Sequence, residues 1–137
     1  MSLYLGVFAG ETELAGLEAG SYADYNALRA AIAAELEGGA AGSRFPVFML
    51  HSDCDGAWSV DACTRLQGEI GAIAAEMRDR PARPFPSEEQ RKAAEARGLA
   101  PRNGFESFVD VDGEFLLERL QGLVAVALQQ NQPVLFQ

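Results

Sequence analysis

Apolar residues occur in this chain in two patterns, short uninterrupted runs and longer stripes that repeat every three or four residues. The first pattern is typical of β-strands covered on both faces, and the second is typical of helices that bury one side. Because the two patterns alternate along the sequence, we expect a sheet with helices packed against it. The fold class is therefore α/β or α+β, with a mixed central sheet of about four to five short strands and about four helices.

The uninterrupted runs predict four strands. Residues 3–8 read LYLGVF and predict the first strand, and residues 134–136 predict a similar strand at the end of the chain. Residues 14–19 predict a second strand, at an edge of the sheet. The run FPVFMLH at 45–51 predicts a third, central strand, in which Pro46 is tolerated only near the start because proline lacks a backbone donor.

The stripes predict four helices, each preceded by a residue that can cap its N-terminus. The predicted helices are 22–37 after Ser21, 60–78 after Ser59, 88–97 after Ser87 and 114–130 after Asp112. A side-chain oxygen at the N-cap accepts a hydrogen bond from a free N–H of the first turn. Gly38, Gly98 and Asn131 predict where three of these helices end. Gly68 and Gly71 weaken the second helix by about 1 kcal/mol each relative to alanine, unless they mark close approach of another backbone.

Two further segments lie between these elements. Residues 80–86 contain three prolines and predict a stiff, extended connection, because each proline fixes its own φ and biases the preceding residue away from helix. We expect Phe85 to attach this connection to the core. Residues 105–111 are expected to be partly extended.

Length and charge narrow the class of protein. A chain of 137 residues fits one globular domain, which we assign to 1–137, and it can bury a core without disulfides. The chain has 11 basic and 20 acidic residues, and its net charge of -9 argues against direct binding to nucleic acid or to an anionic membrane. A basic protein is the electrostatic complement of such a chain.

The sequence predicts a cytoplasmic protein. Residues 1–8 have no basic segment followed by a long apolar one, so we expect no signal peptide. The most apolar stretch, 115–128, is interrupted by Glu118, Arg119 and Gln121 and is shorter than the roughly 20 residues that a membrane span needs. We expect this stretch to be a buried helix.

Two Asp-x-Asp-Gly motifs invite comparison with calcium loops. One lies in the polar segment HSDCDGAWS at 51–59 and the other at 110–113, before Glu114. An EF-hand loop needs an acidic residue at its first position and a bidentate glutamate at its twelfth. The residues at those two positions are His51 and Ala62 in the first loop and Phe108 and Arg119 in the second. Both loops fail the pattern, so we expect Asx turns and helix caps, with no metal and no cofactor.

The sequence offers little for catalysis. His51 is the only histidine, which leaves no multi-histidine metal site and no paired-histidine acid–base mechanism within one chain. A Cys54 nucleophile with His51 as its base is conceivable, but the alternation of side chains at a strand end works against their contact. The other interpretation of His51 is a turn histidine that hydrogen-bonds local backbone groups. We expect Cys54 and Cys63 to be free thiols.

Seven segments together resemble a known protein family. They read LYLGVF at 3–8, GSYADYN at 20–26, GSRFP at 42–46, HSDCDG at 51–56 with WS at 58–59, FPS at 85–87, VDVDGE at 109–114 with LLERL at 116–120, and PVLFQ at 133–137. The chain resembles a family of small bacterial immunity proteins of polymorphic toxin systems. The resemblance implies a cytoplasmic α/β protein, encoded beside a secreted toxin, that binds the effector domain of that toxin and blocks it. It carries over no catalytic residue and no toxin-contact residue.

Our first hypothesis is a non-enzymatic protein that neutralises a toxin domain through its acidic loops. The residues expected to bind the partner are Asp53, Asp55, Trp58, Asp110, Asp112 and Glu114. These residues form one acidic face if both loops lie at the same edge of the sheet. Trp58 is either an interface anchor or a cap over the core.

Two other hypotheses remain open at this point. One is a small metal-dependent hydrolase that uses the 51–59 segment. The other is a homodimer that pairs through an exposed strand edge, at 14–19 or at 134–136.

Overall fold

Four strands and five α-helices form the part of the chain that the computed structural model describes, residues 2–137. In chain order they are β1 (Ser2–Ala9), β2 (Thr12–Ser21), α1 (Tyr22–Leu36), α2 (Pro46–Leu50), β3 (Ala57–Trp58), α3 (Val60–Arg78), α4 (Glu88–Ala96), α5 (Leu116–Gln130) and β4 (Val134–Phe136). A single 3-10 turn, Phe105–Ser107, precedes α5. The segment between α3 and α4 is irregular, and Arg83 N–H attaches it to Ser107 Oγ at 2.9 Å.

The strands form one sheet in the order β2-β1-β4-β3. β1 pairs with β2 along its length, and it pairs with β4 through Leu5 opposite Phe136 and Val7 opposite Val134. All three pairings are antiparallel, so the fold is α+β. The prediction of a mixed sheet is therefore wrong. The short turn between β1 and β2, with Gly10 at φ 62°, permits only antiparallel pairing, because parallel strands need a long crossover.

One face of the sheet carries the core. Leu3, Leu5 and Val7 of β1 alternate toward this inner face and are 0% exposed. The helices α1, α3 and α5 contact the strands and supply their own buried stripes. The remaining buried apolar side chains of this core include Tyr25, Leu28, Ile32, Leu66, Ile70, Ile73, Leu116, Leu120 and Val124.

Three of the predicted helix caps are confirmed. The side chains of Ser21, Ser59 and Ser87 each accept a hydrogen bond from the N–H three residues later, at 3.0 to 3.2 Å. Asn131 ends α5 in the left-handed conformation, with φ 53°. Gly68 has open space beside it, so it is tolerated in α3 and marks no close backbone contact.

The predicted third strand is wrong, because residues 46–50 form α2. Pro46 occupies the first turn of this helix, where its fixed φ is suitable and a backbone donor is not needed. The carboxylate of Glu69 on α3 accepts hydrogen bonds from Val47 N at 3.2 Å and Phe48 N at 2.9 Å. A short apolar run does not by itself distinguish a buried strand from a buried helix, and here a tertiary contact favours the helix.

The predicted cap of the last helix is also wrong. No side chain caps α5, which begins at Leu116. Instead, Asp110 Oδ1 accepts from Asp112 N at 2.9 Å and from Glu114 N at 3.0 Å, which closes a tight turn before the helix. The segment expected to be partly extended begins as the 3-10 turn and is extended only near Val109, which bridges to Phe115.

The role of Glu69 can be tested by substitution. Glu69→Ala leaves two N–H groups of α2 without their carboxylate, so we expect the free energy of unfolding to fall by about 1 to 2 kcal/mol. Glu69→Gln keeps one acceptor oxygen and should lose about half as much. Urea denaturation measures both variants, and an unchanged midpoint for Glu69→Ala would contradict the capping role.

Candidate functional site

The two acidic loops lie at opposite edges of the sheet. The loop 51–56 leads directly into β3, which is one edge strand. The loop 110–113 is attached to β2, the other edge strand, by a hydrogen bond of 3.3 Å from Val111 N to Glu18 O. Three strand spacings, roughly 14 Å, therefore separate these edges. The single acidic face that would join both loops does not form.

His51 is fixed by the backbone around it. Its Nδ1 lies 2.7 Å from Ser52 O and its Nε2 lies 3.1 Å from Ala57 O. The imidazole ring also stacks on Phe136, with 4.2 Å between ring centroids. This geometry matches the interpretation of His51 as a turn histidine. The Cys54 sulfur contacts Ser52 Oγ at 3.5 Å, whereas each nitrogen of His51 lies next to a backbone carbonyl oxygen.

Both cysteines are free thiols, as predicted. Cys54 is exposed, whereas Cys63 is buried on α3. Burial raises the pKa of the Cys63 thiol. A raised pKa keeps Cys63 in the thiol form at neutral pH, so it behaves as a small core residue.

Asp53 anchors the first acidic loop to α1. Its Oδ2 accepts a hydrogen bond of 2.6 Å from Asn26 Nδ2. Arg29 donates to Asn26 Oδ1 at 2.6 Å and to His51 O at 2.7 Å, which fixes the same loop from a second side. The hydrogen bond from Asn26 lowers the pKa of the Asp53 carboxyl, and the charge of Arg29 acts in the same direction.

Two of the six residues expected to bind a partner are buried. Trp58 is 1% exposed and packs edge-on against Phe136, with ring centroids 4.7 Å apart, so it belongs to the core. Asp110 is also 1% exposed and lies 3.2 Å from Arg119 Nε. Burial raises the pKa of the Asp110 carboxyl, while its backbone donors and Arg119 act in the opposite direction. These two side chains are thus buried within the fold.

The other four carboxylates reach the surface. Asp55 and Asp112 are exposed, and Asp53 and Glu114 are half-buried. Glu114 also lies 3.4 Å from Arg119. Asp55 and Asp112, one at each edge of the sheet, are therefore the most accessible of the residues we expected to bind a partner.

A groove of about 830 Å³ was not foreseen from the sequence, because it joins segments that are distant along the chain. It lies between the end of β2, the first turns of α1 and α4, and residues 109–111. Its buried carboxylate, Asp24, accepts a hydrogen bond of 3.0 Å from Ser87 Oγ, and its other buried carboxylate is Asp110. Asp24 is thus bound by the Ser87 hydroxyl and Asp110 Oδ1 by backbone N–H groups, whereas the buried Asp110 Oδ2 lies 3.2 Å from Arg119 Nε without a hydrogen bond.

Metal ligands and membrane spans concern the whole of residues 2–137. Within that range, no group of three or more His, Cys, Asp or Glu side chains is placed to hold a metal ion. None of the helices described there has both the length and the apolar character needed to cross a membrane.

The chain matches one protein family over nearly its whole length. The model of the family described as Immunity protein 70 matches residues 3–136. Searches of curated proteins and of solved structures found no match. The matched range includes both acidic loops and every helix, and it extends from β1 into β4.

The anchoring of Asp53 predicts a change in its titration. Asn26→Ala removes the hydrogen bond that lowers the pKa of Asp53, so we expect this pKa to rise toward its ordinary value of 3.8. Because the lowered pKa belongs to the folded state, the contact stabilises the fold above that value and loses its effect as the pH falls.

Carboxyl NMR titration measures this shift. The pKa of Glu76, which the hydrogen bond from Arg44 lowers, provides the internal control and should not change in the Asn26→Ala variant. An Asp53 pKa that is the same in both proteins would show that Asn26 does not hold the carboxylate.

Proposed function

We propose that this chain, which belongs to the Immunity protein 70 family, binds the effector domain of a bacterial toxin and neutralises it without catalysing a reaction. The observation that carries this proposal is the family match over residues 3–136. The protein would act in the cytoplasm of the cell that it protects, as part of a polymorphic toxin system.

The geometry of the 51–59 segment gives no support to a Cys54 nucleophile activated by His51. Both nitrogens of His51 face backbone carbonyl oxygens, so neither is placed to activate the Cys54 thiol. A nucleophile and its base must lie within hydrogen-bond reach of each other. The contacts of Asp53 with α1 likewise serve to fix the loop.

The charge of the molecule supports a basic partner. The net charge of -9 and the accessible carboxylates of Asp55 and Asp112 at the two sheet edges favour approach of a positively charged domain. Complementary charge accelerates association and suppresses wrong partners. We therefore propose that these loops contribute to recognition from the two edges of the sheet.

The arrangement of the strands gives little support to a homodimer that pairs edge to edge. The outward carbonyl of Gly16 on β2 accepts from Arg119 at 3.0 Å, and that of Glu18 accepts from Val111 N at 3.3 Å. These contacts occupy the part of the β2 edge that a second chain would need for pairing. The other expected edge, 134–136, is β4, which lies between β1 and β3.

The proposed function is tested by co-expression with the effector domain encoded next to this gene. We expect a stable complex on affinity purification and rescue of growth when the active toxin domain is produced. A mixture in which both proteins are folded but do not bind, together with no rescue, would overturn the immunity role.

Charge reversal tests the contribution of the first acidic loop. The double variant Asp53→Lys/Asp55→Lys should associate with the effector domain about tenfold more slowly at low salt, because complementary charge steers the encounter of the two proteins. Far-UV circular dichroism checks that the fold is intact, since Asp53 also contacts α1.

A matched control separates local from global charge. The single variants Asp55→Lys and Asp79→Lys change the net charge equally, and both aspartates are exposed. Asp79 follows α3 and lies away from the acidic loops along the chain. Stopped-flow association rates that fall equally in both variants would contradict a specific role for the 51–56 loop.

A further inference from the structure

The sheet has a second face, opposite the one that carries the core. Residues that are directly opposite each other on neighbouring antiparallel strands point to the same face. Tyr4 pairs with Glu18, Phe8 pairs with Glu13, and Leu135 pairs with Ala57. We define the outer face as Tyr4, Gly6 and Phe8 of β1, Glu13, Gly16 and Glu18 of β2, Leu135 of β4 and Ala57 of β3.

This outer face reaches the solvent. Tyr4, Phe8 and Leu135 are half-buried, and Ala57 is exposed, as are both glutamates. Their strand neighbours Leu5 and Val7, which point to the inner face, are 0% exposed. The outer face is thus partly apolar and aromatic and reaches the solvent on all four strands, whereas the other side of the sheet is packed.

Two glycines leave room for the aromatic rings to lie against the sheet, because neither has a Cβ atom. A Cβ atom on Gly6 would lie 2.6 Å from the Phe8 ring, and one on Gly16 would lie 2.7 Å from Cζ of Tyr4. The Tyr4 hydroxyl also donates to Glu13. Rings that already lie against the sheet lose less conformational freedom when a partner covers them, and aromatic residues are enriched in interfaces.

The charges around the strip indicate what covers it. The outer face contains two carboxylates and no lysine or arginine, and the acidic loops lie at the two edges of the same sheet. A partner that complements this surface has an apolar centre and basic residues around it. We propose that the outer face is the surface that contacts the toxin effector domain, an assignment that rests on the proposed function.

A second copy of this chain fits the same surface poorly. Face-to-face pairing would place the glutamates of two copies near each other, and each copy has a net charge of -9. Such like-charge contacts oppose association. A basic toxin domain removes this repulsion and is the occupant that the charges favour.

Hydroxyl-radical footprinting of the purified complex tests the assignment without altering the protein. The three tyrosines provide internal references, because Tyr4 lies on the outer face, Tyr22 is half-buried on α1, and Tyr25 is 0% exposed. We expect the oxidation of Tyr4 and Phe8 to fall in the complex toward that of Tyr25, and the oxidation of Tyr22 to stay unchanged.

A matched pair of substitutions tests the same surface energetically. Ala57→Arg places a bulky cation on the outer face, whereas Ala75→Arg places the same group on the exposed side of α3 in the helical layer. Because a bulky cation on this face prevents close contact and repels a basic partner, Ala57→Arg should weaken binding of the effector domain by about 30-fold and reduce growth rescue. Ala75→Arg should bind like the original chain, and thermal unfolding verifies that both variants fold.

The outcomes separate this assignment from the proposed function. A stable complex in which Tyr4 and Phe8 stay reactive, or in which Ala57→Arg binds normally, would overturn the outer face and leave the immunity role standing. Light scattering that shows a dimer of the free chain, dissociated by Ala57→Arg but not by Ala75→Arg, would identify a second copy as the occupant and overturn the proposal. Failure of two folded proteins to form any complex would overturn both.

Discussion

The pairing of β1 with β4 brings the two ends of the chain together in the centre of the sheet. β2 pairs only with β1, and β3 pairs only with β4. The β1–β4 pairing is therefore the one strand pairing that joins the two halves of the sheet. Leu5 lies opposite Phe136 and Val7 opposite Val134. These side chains belong to the inner face of the sheet, against which α1, α3 and α5 pack. The core therefore requires contacts between residues at nearly the full separation that the chain allows, which is the costliest kind of contact in chain entropy.

Two carboxylates, Glu37 at the end of α1 and Glu69 on α3, hold the chain between these helices in place around the core. Glu37 at the end of α1 accepts hydrogen bonds from the backbone of Gly42, Arg44 and Phe45, and it is only 6% exposed. Glu69 does the same for the first turn of α2. A buried N–H without a partner destabilises a fold, so these acids serve its stability. Part of the acidity of the chain is consequently structural, and the net charge overstates what a partner can reach.

The three long helices cover one face of the sheet and leave the outer face open. The outer face contains Tyr4 and Phe8, whose rings lie over Gly16 and Gly6, and an acidic loop lies at each edge of the sheet. A preformed sheet surface suits the proposed binding of a toxin domain, because little has to be ordered on binding. Trp58, for which we considered both an interface and a core position, is buried and completes the inner face at the β3 edge.

Local signals in the sequence were sufficient for the first and last strands and for the helices with serine caps. Ser21, Ser59 and Ser87 each interact with a backbone group three residues away, so the relevant chemistry is contained within one turn. Tertiary structure alone decided that 46–50 is a helix, because Glu69 reaches it from α3. It also decided that the two acidic loops lie at opposite edges and that Asp110 is buried, because strand order and packing against Arg119 depend on residues far apart in the chain. The outer face belongs to this second group, since its residues come from four strands and meet only when the ends of the chain pair.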